Sequence, residues 1–365
     1  MTITFYCNFI SHHELPLSLA LIDEVGKDNF HFVACEPIHA ERTKMGYEDE
    51  SAKYPFVVRP YLNEEEHLKA LSLAEESDVV IMGSAPIEYQ KVREKNNKLT
   101  YLYRERLFKN GTWHRFYPPT ALKLYEGYTR VRNKNFYLIA ASAYTAGDVA
   151  LCGFPREKCL KWGYFPELLP KVEKSFDKLR IMWCGRMIWW KHPEDAVEVA
   201  SILKEKKVPF EMQMIGNGDK RKTVEDLIKK YNLTENIQLQ DFMAPTEIRK
   251  VMNKSNVYLF TSGKQEGWGV VLNEAMNSGC AVIANVHAGS TPYLLNDKVN
   301  GFLYDGSKSS LSAAIDALLE ADLEIISSNA YKTISQHWSP AVAAKSIVEF
   351  SKNQEYLKEG PCSKA

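Results

Sequence analysis

Two glutamates, Glu266 and Glu274, lie eight positions apart in the stretch EGWGVVLNE. A tryptophan between two glycines follows Glu266 and leaves an uncluttered backbone just before a predicted helix. Amides exposed at a helix start bind anions, and an acid on either side can bind hydroxyl groups of one elongated ligand. The stretch therefore indicates a ligand with phosphates and hydroxyls, not the acid and nucleophile of a glycosidase. Taken alone, the two residues fit a helix N-terminal charge and a solvated helix residue equally well.

Two further loops, each after a predicted strand, suit the same ligand. In WCGRMIWWKHPED, Gly185 allows a tight exit from the strand, and Arg186 and Lys191 supply two cations that can neutralise a diphosphate. Taken alone, this motif is better explained by a turn glycine with surface cations. In MIGNGDK, Gly216 and Gly218 allow the backbone to approach a ligand, although a plain turn explains them as well. The dinucleotide-binding fingerprint is absent, because no third glycine follows at the required spacing. Since parallel sheets bind ligands at the carboxyl ends of their strands, these loops predict one site.

Apolar runs that alternate with helical patterns predict an α/β protein with two parallel sheets. A length of 365 residues allows two domains with a cleft between them. We expect domains over 1–170 and 171–340, joined by the proline-containing stretch YFPELLPKVEKSFDK, and a C-terminal helix and tail over 341–365 that pack back on the first domain. The predicted strands are residues 3–9, 30–35, 78–83, 99–103 and 136–141 in the first half, and 179–185, 210–216, 237–242, 257–262, 280–284 and 301–304 in the second.

Composition argues against several classes of protein. The chain has 46 basic and 46 acidic residues and 45% hydrophobic content, which is typical of a soluble globular protein. No run approaches the roughly 20 apolar residues that span a bilayer. The start of the chain lacks the features of a secretory signal, and the seven cysteines have no metal-ligand spacing. These features predict a cytoplasmic protein with reduced thiols, and no nucleic-acid-binding motif is found.

One stretch, residues 91–134, is strongly basic and rich in aromatic residues. It holds twelve Lys or Arg against three Glu, interleaved with eight Phe, Tyr or Trp, and it includes a helical pattern over 116–132. Cationic chains and rings of this kind suit the surface of an anionic membrane, so the stretch predicts peripheral association with a membrane. A solvated helix face explains the same composition.

The motifs of the second half together resemble the GT-B glycosyltransferases of family 4, which are retaining, nucleotide-sugar-dependent enzymes. The resemblance covers residues 178–306 and rests on G-R-x4-K, G-x-G, E-G-x-G-x4-E and the following AGSTPYLLNDKVNGFLYDG. It implies two Rossmann-like domains that face each other across a cleft, with the donor bound by the C-terminal domain.

The resemblance also implies roles for individual residues of the second half. Arg186 and Lys191 would bind the donor diphosphate, and Glu266 would bind the transferred sugar; these are the expected catalytic residues. Glu274 would receive the ribose hydroxyls. The expected donor-binding residues are Gly185, Gly216, Gly218, Phe242, Met243, Gly267, Trp268, Gly269, Val270 and Glu274.

The first half departs from the family pattern. Many relatives have a glycine pair after the first strand, whereas this chain has NFISHHELPLSLAL there. His12, His13 and Glu14 take that place, and similar openings occur in polysaccharide-assembly members, so the resemblance implies contacts with the acceptor. Arg104 and Glu105 follow another strand and are also candidates for acceptor binding. A hydrogen-bonded structural histidine and an internal ion pair are the alternatives.

The resemblance implies a retaining glycosyltransferase of the hexosyl type that acts in cell-surface polysaccharide biosynthesis. Its donor would be a nucleoside-diphosphate sugar, most commonly of uridine, and its acceptor a saccharide or a lipid-linked saccharide. We expect no cofactor and no metal, because no Asp-x-Asp pair lies at a strand end. Two other classes remain open: a GT-B subunit that binds nucleotide sugars or glycans without turnover, and a sugar-nucleotide epimerase.

Overall fold

The structure, a computed structural model, describes residues 1–39 and 49–365. Its contacts divide the chain into two compact units, which we call unit 1 and unit 2. Unit 1 comprises Met1–Glu167 and His337–Ala365, and unit 2 comprises Leu168–Gln336. The sequence had predicted the corresponding boundaries at 170 and 340.

Each unit is built on one parallel sheet. The strands of unit 1 are β1 (Ile3–Cys7), β2 (Phe30–Ala34), β3 (Val57–Val58), β4 (Val79–Met82), β5 (Thr100–Arg104), β6 (Phe136–Ala140) and β7 (Cys159–Lys161). Those of unit 2 are β8 (Leu179–Cys184), β9 (Phe210–Ile215), β10 (Ile237–Gln240), β11 (Val257–Phe260), β12 (Ala281–Asn285) and β13 (Phe302–Tyr304). The orders are β3-β2-β1-β4-β5-β6-β7 and β10-β9-β8-β11-β12-β13. Central strands such as β4 and β11 are buried throughout, which explains their continuous apolar sequences.

Helices connect the strands in both units, as parallel strands require. They are α1 (Leu15–Val25), α2 (Glu64–Glu76), α3 (Ile87–Asn96), α4 (Pro118–Leu124), α5 (Thr145–Ala150), α6 (Pro193–Glu205), α7 (Arg221–Lys230), α8 (Pro245–Lys254), α9 (Val271–Asn277), α10 (Thr291–Leu294), α11 (Lys308–Glu320), α12 (Leu323–His337) and α13 (Pro340–Asn353). Within the described residues, none of these helices combines the length and apolarity needed to cross a bilayer.

The C-terminal segment returns to unit 1 and completes its core. Helix α13 packs against α1. The hydroxyl groups of Tyr101 and Ser351 are 2.8 Å apart, and the hydroxyl of Tyr137 donates to Gln354 Oε1 at 2.8 Å. Phe350 is fully buried, with its ring centroid 5.2 Å from that of Tyr137. Residues distant in sequence therefore form one hydrophobic core.

The structure differs from the predicted elements at several places. Strands β3 and β7 were not predicted, because two and three residues are too few to show a period in sequence. Helices α11 and α12 of unit 2 were also not predicted. The helix expected over 116–132 is wrong in extent: two prolines start α4 at Pro118, and the chain passes after Leu124 into a π-helical turn, Tyr125–Thr129.

Candidate active site

Three loops of unit 2 meet at the carboxyl edge of its sheet. They follow strands β9, β8 and β11, which are neighbours in the sheet. Gly185 N donates to Ile215 O at 3.0 Å, and Gly263 N donates to Trp190 O at 2.8 Å, so hydrogen bonds join the loops. This edge is where parallel sheets bind ligands, and it holds most of the residues predicted to bind the donor.

The glycine pair after β9 brings two of these loops together. A Cβ atom at Gly216 would lie 1.9 Å from the carbonyl oxygen of Gly185, and one at Gly218 would lie 2.6 Å from that of Met187. Both glycines have positive φ, 138° and 148°. Met187 N donates to the carbonyl of Asn217 at 2.8 Å, so the loops pack backbone against backbone. The pair is therefore required for the packing of these two loops.

An ion pair occupies the centre of this edge. Lys191 Nζ lies 2.5 Å from Glu266 Oε2, and the two side chains are only 16% and 15% exposed. The backbone of Lys191 is fixed as well, because its carbonyl accepts a hydrogen bond from the hydroxyl of Thr261 at 2.5 Å. The indole of Trp183 donates to the same hydroxyl at 2.8 Å. From the sequence, Lys191 was expected to bind the diphosphate and Glu266 the transferred sugar. Their contact with each other was not predicted.

Glu274 lies on α9, about one turn from its start, as the sequence predicted. Burial raises the pKa of its carboxyl group to about 7, and the attraction of Arg249 opposes the shift. Arg249 also donates to the carbonyl of Glu274 at 2.7 Å. Burial raises the pKa of the Cys184 thiol to about 12, with the charge of Glu274 adding to the shift and Lys191 opposing it. Glu274 and Lys191 therefore both act on the electrostatic environment at the end of β8.

The tryptophan between the two glutamates is part of the scaffold. Trp268 is 1% exposed, and its indole donates to Asn273 Oδ1 at 2.8 Å. Its carbonyl accepts from the hydroxyl of Ser290 at 2.6 Å, which ties the loop to the segment after β12. At Gly269, φ is 86° and a Cβ atom would lie 2.3 Å from Phe260. A ligand can therefore meet the backbone of this loop but not the Trp268 ring.

The remaining predicted donor residues lie nearer the surface. Arg186 is exposed, and its guanidinium carbon is 5.8 Å from the centroid of the Trp190 ring. Trp189 beside it is also exposed, and sequence reasoning had not included either tryptophan. Phe242 is exposed and Met243 half-buried, both after the edge strand β10.

A cavity of about 970 Å³ lies elsewhere in unit 2. Lys174, Arg180, Glu211 and Lys250 line it, together with Met243. None of Arg186, Lys191, Glu266 and Glu274 is among its lining residues. This cavity is therefore separate from the residues that the sequence predicts to bind the diphosphate, the sugar and the ribose.

The histidine-containing loop of unit 1 follows β1. The carboxylate of Glu14 accepts from the amide of Ser11 at 3.0 Å and from its hydroxyl at 2.6 Å, which closes the loop ahead of α1. The rings of His12 and His13 pack with their centroids 4.0 Å apart. All three predicted residues thus lie at the carboxyl end of β1.

Arg104 and Glu105 make different contacts from those expected. The guanidinium of Arg104 donates to the carbonyl oxygens of Met82, Gly83 and Tyr103 at 2.6, 2.7 and 2.8 Å. It thereby joins the ends of β4 and β5. Glu105 pairs with Lys109 at 2.7 Å and accepts from the hydroxyl of Tyr164 at 3.1 Å. The internal ion pair considered from sequence thus involves Lys109 rather than Arg104.

Comparisons with solved structures agree with this architecture. Over 96% of this chain and the whole of the other, the fold matches that of Anabaena HepE in complex with UDP, with a TM-score of 0.70 and 18% identity. It also matches the lipopolysaccharide outer core galactosyltransferase WaaB, with a TM-score of 0.67 and 14% identity over 97% of this chain and 99% of the other. The protein therefore has the GT-B fold of these glycosyltransferases, as the sequence predicted.

Sequence comparison adds a family match. Residues 165–335, a little less than half of the chain, match the model of glycosyl transferases group 1. Two relatives are the amylovoran biosynthesis glycosyltransferase AmsK of Erwinia amylovora, 28% identical over 54% of this chain, and the putative colanic acid biosynthesis glycosyltransferase WcaL of Escherichia coli K12, 25% identical over 54%. The matched regions span 51% of each relative, so the chain covers about half of their length.

Proposed function

We propose that the chain is a retaining glycosyltransferase of family 4 that transfers a hexosyl group from a nucleoside-diphosphate sugar, in the first place a UDP-sugar. The acceptor is a saccharide or lipid-linked saccharide of a cell-surface polysaccharide. The observation that carries the proposal is the Lys191–Glu266 pair with Glu274 and Arg186 at one edge of the sheet in unit 2. The polysaccharide relatives and the UDP complex of HepE support the substrate class.

The departing diphosphate sets the electrostatic demand of this reaction. Negative charge grows on its oxygens as the bond to the anomeric carbon breaks, so nearby cations stabilise the transition state more than the ground state. Lys191 and Arg186 are those cations. The acceptor hydroxyl attacks the anomeric carbon from the face that the diphosphate leaves, and the proton of this hydroxyl passes to the departing phosphate oxygen. No protein base is then required for this step.

Donor binding would reorganise the ion pair. The diphosphate competes with Glu266 for the ammonium group of Lys191, because phosphate oxygens carry the same sign of charge as the carboxylate. Glu266 can then accept hydrogen bonds from hydroxyls of the transferred sugar. Glu274, on the next helix, accepts the two ribose hydroxyls when it is ionised. Two loops and one helix thus divide the phosphates, the sugar and the ribose among them.

We further propose that the reaction needs no cofactor and no divalent metal. Two side-chain cations, Arg186 and Lys191, supply the positive charge that a metal ion would otherwise bring to a diphosphate. Turnover measured with and without a chelator tests this point. The rate should be unchanged by EDTA, and recovery of a lost rate by Mg²⁺ or Mn²⁺ would contradict it.

A panel of nucleotide sugars tests the function itself. A glycosyltransferase should release nucleoside diphosphate slowly from one donor, and faster when the acceptor is present. Binding without any release would favour the non-catalytic subunit, and conversion of the sugar into an isomer would favour an epimerase. Each outcome is read from the same incubation by chromatography and mass spectrometry.

We also propose peripheral association with the inner face of an anionic membrane. In unit 1, Trp113 is 65% and Phe116 73% exposed, and Tyr117, Leu122 and Tyr125 are exposed nearby. Rings at headgroup depth and cations at the surface favour such binding.

The membrane proposal predicts cosedimentation with phosphatidylglycerol vesicles at low salt and release at high salt, since screening weakens surface charges. Phosphatidylcholine vesicles are the control. A Trp113→Ala and Phe116→Ala double variant should lose binding. Equal binding of this variant, or absence from the pellet at low salt, would count against the membrane surface.

A further inference from the structure

Arg106 of unit 1 lies two residues beyond the end of β5, at the edge where parallel sheets bind ligands. Its guanidinium carbon is 4.7 Å from the centroid of the Tyr144 ring, and its Nε lies 3.6 Å from Asp148 Oδ2. About a fifth of the side chain, 20%, remains exposed. Arg106 was not among the acceptor residues suggested by the sequence.

The partner carboxylate holds Arg106 in a defined place. Asp148 is almost fully buried, and its Oδ2 accepts from the amides of Leu107 at 2.9 Å and Phe108 at 3.1 Å. A buried carboxylate with two backbone donors has little freedom to move. The ion pair and the contact with the ring of Tyr144 together restrict the guanidinium to a narrow range of orientations.

Two neighbouring cations, Arg104 at the end of β5 and Lys109 in the loop after it, have different partners. Arg104 donates to three backbone carbonyls and holds the strand ends together. Lys109 pairs with Glu105 at 2.7 Å. Arg106 instead combines a fixed position with partial exposure, which is the arrangement expected of a residue that receives a ligand.

The residue that follows Tyr144 carries a buried polar group. The hydroxyl of Thr145 is fully buried and has no hydrogen-bond partner among the described residues. Its loop follows β6, and Ala141 N donates to Arg104 O at 2.9 Å, so the loops after β5 and β6 are adjacent. Buried polar groups are nearly always hydrogen-bonded, so an orphan marks a position that a ligand or water completes.

We propose that Arg106 binds an anionic group of the acceptor, with Asp148 and Tyr144 as its positioning residues. The acceptor is then a saccharide that carries a carboxylate or a phosphate, not a neutral sugar. The planar guanidinium matches both groups, because two parallel N–H donors can meet two oxygens. This inference rests on the proposed function, since it concerns the acceptor of the proposed transfer.

The test uses the full chain saturated with UDP, so that the proposed donor site is filled. Three probes are titrated by calorimetry: inorganic pyrophosphate, methyl β-D-glucuronide and the neutral methyl β-D-glucoside. We expect an anionic probe to bind the parent protein and to bind Arg106→Gln roughly tenfold or more weakly, as expected for loss of a charge-assisted hydrogen bond. If Arg106→Gln loses binding of pyrophosphate only, the acceptor is linked to a diphosphate. If it loses binding of the glucuronide only, the acceptor contains an acidic sugar.

Two further variants control for folding and for net charge. Arg106→Gln with Asp148→Asn removes both charges, so no buried carboxylate is left unpaired, and it should still fail to bind the anion. Lys69→Gln removes one exposed cation of α2 and should bind the anion as the parent does. Equal binding by parent and Arg106→Gln, binding of the glucoside alone, or no binding of either anion would overturn the inference.

The measurement separates this inference from the proposed function. UDP binding depends on residues of unit 2, and it is recorded before any probe is added. Absence of UDP binding would contradict the proposed function. The anion titration would then be repeated without UDP on the Lys191→Ala variant and on the double variant Lys191→Ala, Arg106→Gln. Weaker anion binding by the double variant would still support the role of Arg106.

Discussion

At the scale of single residues, the candidate site depends on carboxylates whose charge is set by their surroundings. Glu266 is neutralised by Lys191 at 2.5 Å. Glu274 has a pKa raised to about 7 by burial, with Arg249 in opposition. Ionising a buried carboxyl group of this kind lowers the stability of the fold. A residue that carries such a cost is more often found at a binding site than elsewhere, so Glu274 fits a role in binding.

Glu274 gives a prediction about pH. Only the ionised carboxylate accepts two hydroxyl hydrogen bonds, so UDP should bind more tightly as the pH rises from 6 to 8 through the pKa of about 7. Glu274→Gln should weaken UDP binding by roughly tenfold at pH 8 and remove this pH dependence. Calorimetric titration with UDP at several pH values measures both. A parallel pH dependence in the variant would show that another group is responsible.

The same substitution should affect stability in the opposite direction. Because the pKa is raised on folding, the folded state holds the proton more tightly, and its stability falls as the pH rises through the range from the ordinary value to about 7. The Glu274→Gln variant has no carboxyl group to ionise at this position, so its stability should not fall in this way. At pH 8 its free energy of unfolding should exceed that of the parent by about 1–2 kcal/mol. Urea denaturation at pH 5 and pH 8 checks the sign. A variant less stable than the parent at pH 8 would contradict the assigned cause.

The Lys191–Glu266 pair gives a prediction about turnover. Lys191→Ala removes a cation from the diphosphate and should lower kcat by roughly a hundredfold or more. Lys222→Ala is a matched control, because Lys222 forms an exposed pair with Asp226 at 2.8 Å and such pairs contribute little. Release of nucleoside diphosphate measures both variants. Similar rates for Lys191→Ala and the parent would remove Lys191 from the mechanism.

At the scale of elements, the site is made by loops that fit against one another. The loops after β8 and β9 touch through glycines, and Gly269 lies against the ring of Phe260. These contacts fix the backbone of the loop after β8, which carries the side chains of Arg186 and Lys191. A change in loop packing should therefore disturb stability and donor binding together.

Gly216→Ala tests this packing. The new methyl group would lie 1.9 Å from the carbonyl oxygen of Gly185, in a backbone conformation with φ of 138°. We expect a loss of about 2 kcal/mol or more in the free energy of unfolding, because neither backbone can yield without breaking hydrogen bonds. Gly127→Ala, where a Cβ atom meets nothing within 4 Å, is the control. A neutral Gly216→Ala would contradict the close approach of the loops.

The elements were largely predictable, and the contacts between their side chains were not. Buried parallel strands have continuous apolar sequences, so β4 and β11 could be read from the sequence. Strand β3, with two residues, could not. Lys191 and Glu266 stand 75 positions apart, and nothing local to either residue predicts an ion pair. Arg104 had the sequence context of a ligand residue, yet its guanidinium donates to backbone carbonyls, two of them at the end of β4.

At the scale of the whole molecule, the two units have different relations to known proteins. The family match, residues 165–335, nearly coincides with unit 2. Unit 1 shares the fold of the GT-B structures but lies outside that match, apart from a few residues at the boundary. The proposed donor residues thus lie in the matched unit, whereas the proposed acceptor residues, including Arg106, lie in the other. On these proposals, acceptor choice would lie in the part of the chain outside the family match.

A crystal structure of the protein with UDP tests the central claim most directly. The account predicts the diphosphate within hydrogen-bond distance of Lys191 and Arg186 and the ribose hydroxyls on the carboxylate of Glu274. Glu266 should have lost its contact of 2.5 Å with Lys191. UDP bound instead in the cavity of about 970 Å³ lined by Lys174 and Arg180, with the Lys191–Glu266 pair intact, would contradict it.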